Sequence, residues 1–145
     1  MRRYLLDTTP LAAVLHGRSA AVQLIEPWIL SRETATSSLV YAEIVEYLRP
    51  RPNFVAHRRA LRALLRAVYP YVPTYAILER YADIRLALRP PHGTGLIGDI
   101  DTLIAATAME RGLTLVTADS DFERVPGIRL IRLDPRRFTV ITQRS

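Results

Sequence analysis

The stretch Gly98–Val125, GDIDTLIAATAMERGLTLVTADSDFERV, decides the fold. Asp101–Arg111 carries the small and apolar residues of a packed helix, and Gly112 stands where a helix closes. Leu113–Thr117 is a continuous β-prone run and reads as a buried strand. Thr117–Pro126 is polar and reads as a loop, and Ile128–Leu133 is a further apolar strand.

The same alternation runs through the rest of the chain. Arg3–Leu6 is a short apolar run ending at Asp7-Thr8-Thr9-Pro10, a strand followed by a helix start with Pro in its first turn. Leu11–Leu15 continues that helix, and Ser19–Leu30 is a second one, interrupted by Pro27. Thr34–Ser37 reads as a strand, with Ser38 able to cap a helix over Leu39–Leu48. Asn53 can cap a long helix over Phe54–Val68, Tyr69–Pro73 is extended, and Thr74 caps a helix over Tyr75–Leu88. Pro90-Pro91 halts that helix before a Gly-rich loop, His92–Gly98. The basic tail, residues 136–145, reads either as a further strand or as a loose end. Short apolar strands alternating with helices predict a single α/β domain over residues 1–145, a three-layer sandwich around a parallel sheet.

Composition narrows the chemistry. Among 145 residues there are 20 basic side chains against 14 acidic ones, a net charge of +6. All the basic ones are Arg, so a Walker A loop and Schiff-base chemistry on Lys are excluded. There is no Cys, which removes disulfides, thiolate nucleophiles, zinc ribbons and Fe–S clusters and is compatible with a reducing, cytoplasmic setting. No apolar run reaches membrane-spanning length, and Met1–Asp7 is too short in apolar residues to read as a signal peptide. Arginine suits bidentate contacts to phosphate, so a nucleic-acid partner is one reading of the charge. Biased composition is the other.

The few acids are placed informatively. Asp7 and Asp119 each follow a strand, at the carboxyl edge where open α/β sheets bind ligands. Asp99 and Asp101 stand at the start of the helix before the second of those strands. Glu43 has Leu39, Val40 and Tyr47 as its helical neighbours, so it projects beside an apolar stripe. Each acid also has an ordinary reading: helix caps for Asp7 and Asp101, turn residues for Asp119 and Asp121, a buried Arg partner for Glu43. A cluster of such acids repels itself unless a divalent cation holds it, and oxygen-only ligands favour Mg²⁺ or Mn²⁺.

These segments resemble the PIN domain family, and within it the VapC-type toxin ribonucleases. The resemblance starts at YLLDTTPLAAVL, continues at TSSLVYAEIVEYL, and is most specific at GDIDTLIAATAMERGLTLVTADSDFERV. It implies a five-stranded parallel sheet between helices. It assigns the catalytic, metal-binding acids to Asp7, Glu43, Asp101 and Asp119, with Asp99, Thr117 and Thr8 accessory. Asp121-Phe122 matches the family's D-F pair and reads as structural. The implied activity is Mg²⁺- or Mn²⁺-dependent hydrolysis of RNA by the toxin of a toxin–antitoxin pair. The implied partners are an antitoxin of the VapB type and a second copy of the chain. Arg58, Arg62 and Arg66, spaced four apart on one helix, and Arg89 near the Gly-rich loop are candidate RNA contacts.

Two other readings stay open in the sequence. PIN-like folds can serve as RNA-binding or assembly modules without catalysis. Gly93-Thr94-Gly95-Leu96-Ile97-Gly98 also satisfies the dinucleotide-binding pattern, although it follows a helix and Pro90-Pro91 rather than a strand.

Overall fold

The computed structural model describes all residues, 1–145. In chain order the elements are β1 (Tyr4–Leu6), α1 (Thr8–Leu15), α2 (Ser19–Leu30), β2 (Thr34–Ser37), α3 (Ser38–Leu48) and α4 (Phe54–Leu64). They continue with β3 (Tyr69–Tyr71), α5 (Tyr75–Leu88), α6 (Asp99–Glu110), β4 (Thr114–Thr117), a 3₁₀ turn (Ser120–Arg124), β5 (Leu130–Leu133) and β6 (Val140–Arg144). The strands form one sheet in the order β3-β2-β1-β4-β5-β6. The first five are parallel, as the strand–helix alternation predicts, and β6 returns antiparallel along β5.

The sheet therefore has six strands rather than five, and residues 140–144 are one of them. Pairing alone does not hold the tail there. Arg144 donates to the carbonyls of Ile128 (3.1 Å), Glu123 (3.0 Å) and Val125 (2.8 Å), closing the end of the chain over the turn that follows β4.

The core lies on both faces of the central strands. Leu5, Leu6, Leu115 and Val116 are fully buried, as a parallel strand covered on two sides requires. Helix α3 turns Val40, Ile44 and Leu48 inward, the i, i+4, i+8 stripe of a half-buried helix. Helix α6 buries the run Ile104–Ala108. Its small residues allow close approach to the sheet, and its hydroxyls are satisfied internally: Thr102 donates to the Gly98 carbonyl and Thr107 to that of Leu103, each at 2.8 Å. No helix is long and apolar enough to cross a membrane.

Several boundaries differ from the sequence reading for identifiable reasons. Helix α2 runs through Pro27 unbroken because Pro27 and Gln23, four residues before it, are exposed, so the carbonyl that Pro cannot bond faces water. Helix α4 stops at Leu64 instead of Val68. Three-residue bonds from Arg66 N–H to Ala63 O and from Ala67 N–H to Leu64 O tighten the chain, and Arg2 ties the turn by donating to the carbonyls of Ala67 (2.9 Å) and Thr34 (2.7 Å). The cap of α3 is Ser37, whose hydroxyl accepts from Leu39 N–H at 3.1 Å, rather than Ser38. Helix α6 begins at Asp99, so Asp101 lies within its first turn rather than opening it.

The Gly-rich loop is structural. It joins two helices with no strand before it, so the context of a dinucleotide-binding turn is absent. A Cβ on Gly93 would run into the Ala87 carbonyl and the Leu88 backbone at the end of α5. Gly93→Ala is expected to cost roughly 1–3 kcal/mol through forced backbone movement. Urea denaturation should show that loss in midpoint, with an unchanged slope.

Candidate active site

The strand order reverses direction between β1 and β4, which is where an open α/β sheet leaves a crevice at its carboxyl edge. Asp7 follows β1 directly and Asp119 follows β4 by two residues, so the topology sets these two acids on either side of that crevice. The strands are locked together beneath it, with Leu6 in register with Val116 and Asp7 N–H donating to the Val116 carbonyl at 2.9 Å.

Asp7 is buried, with 7% of its surface exposed. It sits at the N-cap position of α1 but makes no side-chain cap bond, so capping does not account for it. Instead its Oδ2 accepts a 2.7 Å hydrogen bond from the Thr117 hydroxyl, and the Thr117 oxygen accepts from Asp119 N–H at 3.0 Å. One threonine thus couples the two strand-end acids. Glu43 is half-buried on α3, and Oε1 accepts a 2.7 Å bond from the Thr8 hydroxyl. The buried Arg partner that the sequence allowed for Glu43 is not there. Asp119 Oδ1 accepts from Asp121 N–H at 2.8 Å and so also shapes the 3₁₀ turn.

The electrostatics show that these acids share one field. Burial pushes Asp7 from 3.8 up to about 6, opposed by the Thr117 hydroxyl and the Thr8 backbone N–H and reinforced by repulsion from Glu43 and Asp119. Asp101 is likewise raised from 3.8 to about 6, first by burial and then by repulsion from Asp7, Asp119, Glu43 and Asp121. In a chain with 20 arginines, none of the five ion pairs involves Asp7, Glu43, Asp101 or Asp119.

Asp99 behaves differently. It is exposed, and its Oδ1 accepts from Arg85 (2.7 Å) and the Tyr81 hydroxyl (3.0 Å), which ties the start of α6 to α5. Its charge is not among the leading influences on Asp7 or Asp101. Asp121, read from sequence as a structural residue, adds to the field on Asp101 while lying 3.8 Å from Arg124. Its position two residues beyond Asp119 was the signal for this.

The donor set is made of hard oxygens, which suits Mg²⁺ or Mn²⁺ and not a soft metal. As the side chains stand, no three of the acids are gathered into a set that could hold an ion. The fit is therefore one of donor chemistry and shared charge. A groove of about 270 Å³ runs along α1 and α3, lined among others by Thr8, Ala12, His16, Ile44 and Tyr47 and by none of the four acids. Arg58, Arg62 and Arg66 line a separate hollow on α4, and Arg89 stands at the end of α5, so the structure does not gather these four into one surface.

The family model of the PIN domain matches residues 4–128. VapBC2 from Rickettsia felis, solved bound to a DNA fragment from its promoter, superposes with a TM-score of 0.79 at 24% identity over 90% of this chain and 98% of that one. DNA-bound VapBC from Salmonella typhimurium gives 0.78 at 20% identity over 90% and 97%. A toxin–antitoxin complex from Klebsiella pneumoniae gives 0.68 at 25% identity over 86% and 94%. No curated protein matches the chain.

Proposed function

The chain belongs to the PIN domain family, and from that premise we propose that it is a metal-dependent endoribonuclease of the VapC type, the toxin of a type II toxin–antitoxin pair. The observation that carries this reading is the unpaired acid field at the strand-order reversal. Asp7 and Asp101 are both raised to about 6 there by burial and by their neighbours' charge, amid abundant arginine that pairs with none of the four acids. A structural ion-pair network would lower carboxylate values instead.

Asp7, Glu43, Asp101 and Asp119 would hold the cation. When bound, Mg²⁺ or Mn²⁺ lowers the pKa of water and offsets charge on the attacked phosphate. Thr117 fixes the direction of Asp7 and braces the backbone of Asp119, while Thr8 does the same for Glu43. A carboxylate of this set that is ionised at neutral pH can take the proton of the attacking water. Asp99 supports the first turn of α6, and hence Asp101, through Arg85 and Tyr81. Arg89, exposed near Tyr81 and Arg85, would be a contact for RNA entering from the α5 side.

Thr117→Val tests the brace. It keeps the shape, removes the hydrogen bond to Asp7 and leaves Asp119 N–H without its acceptor. The expected loss is roughly 10–100-fold in kcat, the usual cost of losing the group that orients a ligand.

The partners follow the same reading. The VapBC structures and the Klebsiella complex are toxin–antitoxin assemblies, which supports an antitoxin of the VapB type for this chain. The groove beside Thr8 is the proposed seat for a segment of it. The exposed apolar residues Tyr75, Leu78 and Leu86 on α5 support a homodimer contact. RNA and antitoxin would both be met in the cytoplasm.

The test is cleavage of cellular RNA by the purified protein in Mg²⁺ or Mn²⁺. Cutting that stops with EDTA and resumes with excess metal is the expected result. RNA binding with no cutting under either metal would instead identify a non-catalytic PIN-like module.

A further inference from the structure

The charge of this protein is not spread over it. Residues 47–78 contain six arginines, Arg49, Arg51, Arg58, Arg59, Arg62 and Arg66, and no acid. The remaining fourteen arginines are matched by the fourteen acids of the rest of the chain, so the whole net charge of +6 lies in this one segment.

The structure concentrates it further. Arg58, Arg59, Arg62 and Arg66 line one concavity on α4 and the turn after it, a hollow of about 470 Å³ floored by Val55 and Ala63. None of the four is in an ion pair. Residues four apart on a helix rise by about 6 Å, so these guanidinium groups form a ladder along the helix rather than a single point of charge. Two of them are braced: Arg58 lies 5.5 Å from the centre of the Phe54 ring, and Arg62 Nε donates to the Tyr41 hydroxyl at 3.2 Å. Tyr41 stands two residues before Glu43 on α3, so the ladder is joined to the helix that carries one of the acids.

Four unpaired arginines held close together repel one another, and a face free of acids gives them no internal relief. A ladder of fixed positive groups is complementary to a chain of evenly repeated negative ones. We infer that this face of α4 is a seat for the phosphate backbone of an RNA, separate from the acid crevice. The preferred substrate is then a polynucleotide long enough to occupy both places. This rests on the ribonuclease reading above and deepens it by adding a second contact surface for the substrate. A phosphate ladder carries no base code, so the seat supplies affinity and salt sensitivity rather than sequence choice.

The test compares two double variants of equal charge loss. Arg58→Gln/Arg62→Gln removes charge from the ladder. Arg136→Gln/Arg137→Gln removes it from exposed positions in the acid-balanced remainder. Binding of a fluorescent single-stranded RNA about 30 nucleotides long, followed by anisotropy across a salt series, gives affinity and salt slope. The ladder variant should bind roughly tenfold more weakly, with a slope reduced by about 1.4, near 0.7 per lost phosphate contact. The control should change by less than twofold. Circular dichroism verifies that both fold.

Equal weakening in both variants would mean general charge, not a seat, and would overturn the inference. So would unchanged RNA binding by the ladder variant, including the case where it loses affinity only for a poly-glutamate peptide and the face is an acidic-protein site. The two readings fail separately. A wild type that binds RNA through α4 but never cuts it removes the ribonuclease reading and keeps the seat. A wild type that cuts RNA while the ladder variant binds and cuts as well as it does removes only the seat.

Discussion

Asp101→Asn should abolish metal-dependent RNA cleavage while leaving the protein folded. Asp101 is half-buried in the first turn of α6, in a field made by Asp7, Asp119, Glu43 and Asp121. The amide keeps the size and one acceptor oxygen but removes the charge that a hard cation needs. Groups that merely orient a metal ligand are worth 10–100-fold, so removal of the ligand itself should lower kcat by roughly 10³-fold. Raising Mn²⁺ well above the wild-type requirement should recover only part of that. The thermal midpoint should not fall, because the substitution removes repulsion rather than a contact. Activity within tenfold of wild type would take Asp101 out of the proposed mechanism.

The second large effect is on stability and carries the opposite sign from most substitutions at buried residues. Asp7→Asn should stabilise the metal-free protein at neutral pH. The carboxyl is nearly inaccessible, and burial, aided by Glu43 and Asp119, raises it from 3.8 to about 6. Below about pH 3.8 the group is protonated in both folded and unfolded chains and contributes nothing. Between 3.8 and about 6 the unfolded chain ionises while the folded one holds its proton, so stability falls as pH rises. Above about 6 the full cost is present, on the order of 2–3 kcal/mol. Asparagine removes that cost and keeps an acceptor for the Thr117 hydroxyl. Urea denaturation of both proteins in EDTA should show the variant more stable at pH 7.5 and the two converging near pH 4. Saturating Mn²⁺ should stabilise wild type and narrow the gap at pH 7.5. A variant less stable than wild type at pH 7.5 in EDTA would show that Asp7 is held there as a favourable structural anion.

Together these effects describe a protein that keeps acids where folding alone would not place them. The Asp7 side chain does not cap α1, Glu43 meets a threonine rather than an arginine, and Asp101 sits among like charges. Each departure belongs to the acid field at the reversal of strand order, the place where open α/β sheets bind ligands.

Much of this was legible in the residues because strand and helix periods are local. Leu5-Leu6, Leu115-Val116 and the Val40–Ile44–Leu48 stripe announce their burial directly, and the parallel order of β1 to β4 follows from the helices between them. The nearness of the acids was legible too, since Asp7 and Asp119 follow strands, Glu43 lies on a helix beside an apolar stripe and Asp101 stands near a helix start. What was not legible depends on distant partners. The sixth strand is held by Arg144 reaching three carbonyls around the turn after β4. The early end of α4 depends on Arg2, 65 residues away from Ala67. Asp99 and Asp101 look alike in sequence, and only the packing of α5 against α6 gives Asp99 to Arg85 and Tyr81. Asp121 was read as part of a turn, and the fold turned its charge toward Asp101. The arginine stripe was visible on α4, but Arg89 is carried by another helix, and Arg59 takes its place in the hollow.

The ribonuclease reading requires Asp7, Glu43, Asp101 and Asp119 to form one site for a divalent cation. Calorimetric titration with Mn²⁺ at pH 6, repeated in buffers of different ionisation enthalpy, tests it most directly because it reads metal and protons together. The account predicts one saturable site whose occupation releases protons, since Asp7 and Asp101 are each about half protonated at that pH, and which is lost in both Asp7→Asn and Asp101→Asn. Saturable binding that persists unchanged in both variants, or no binding by the wild type, would contradict it.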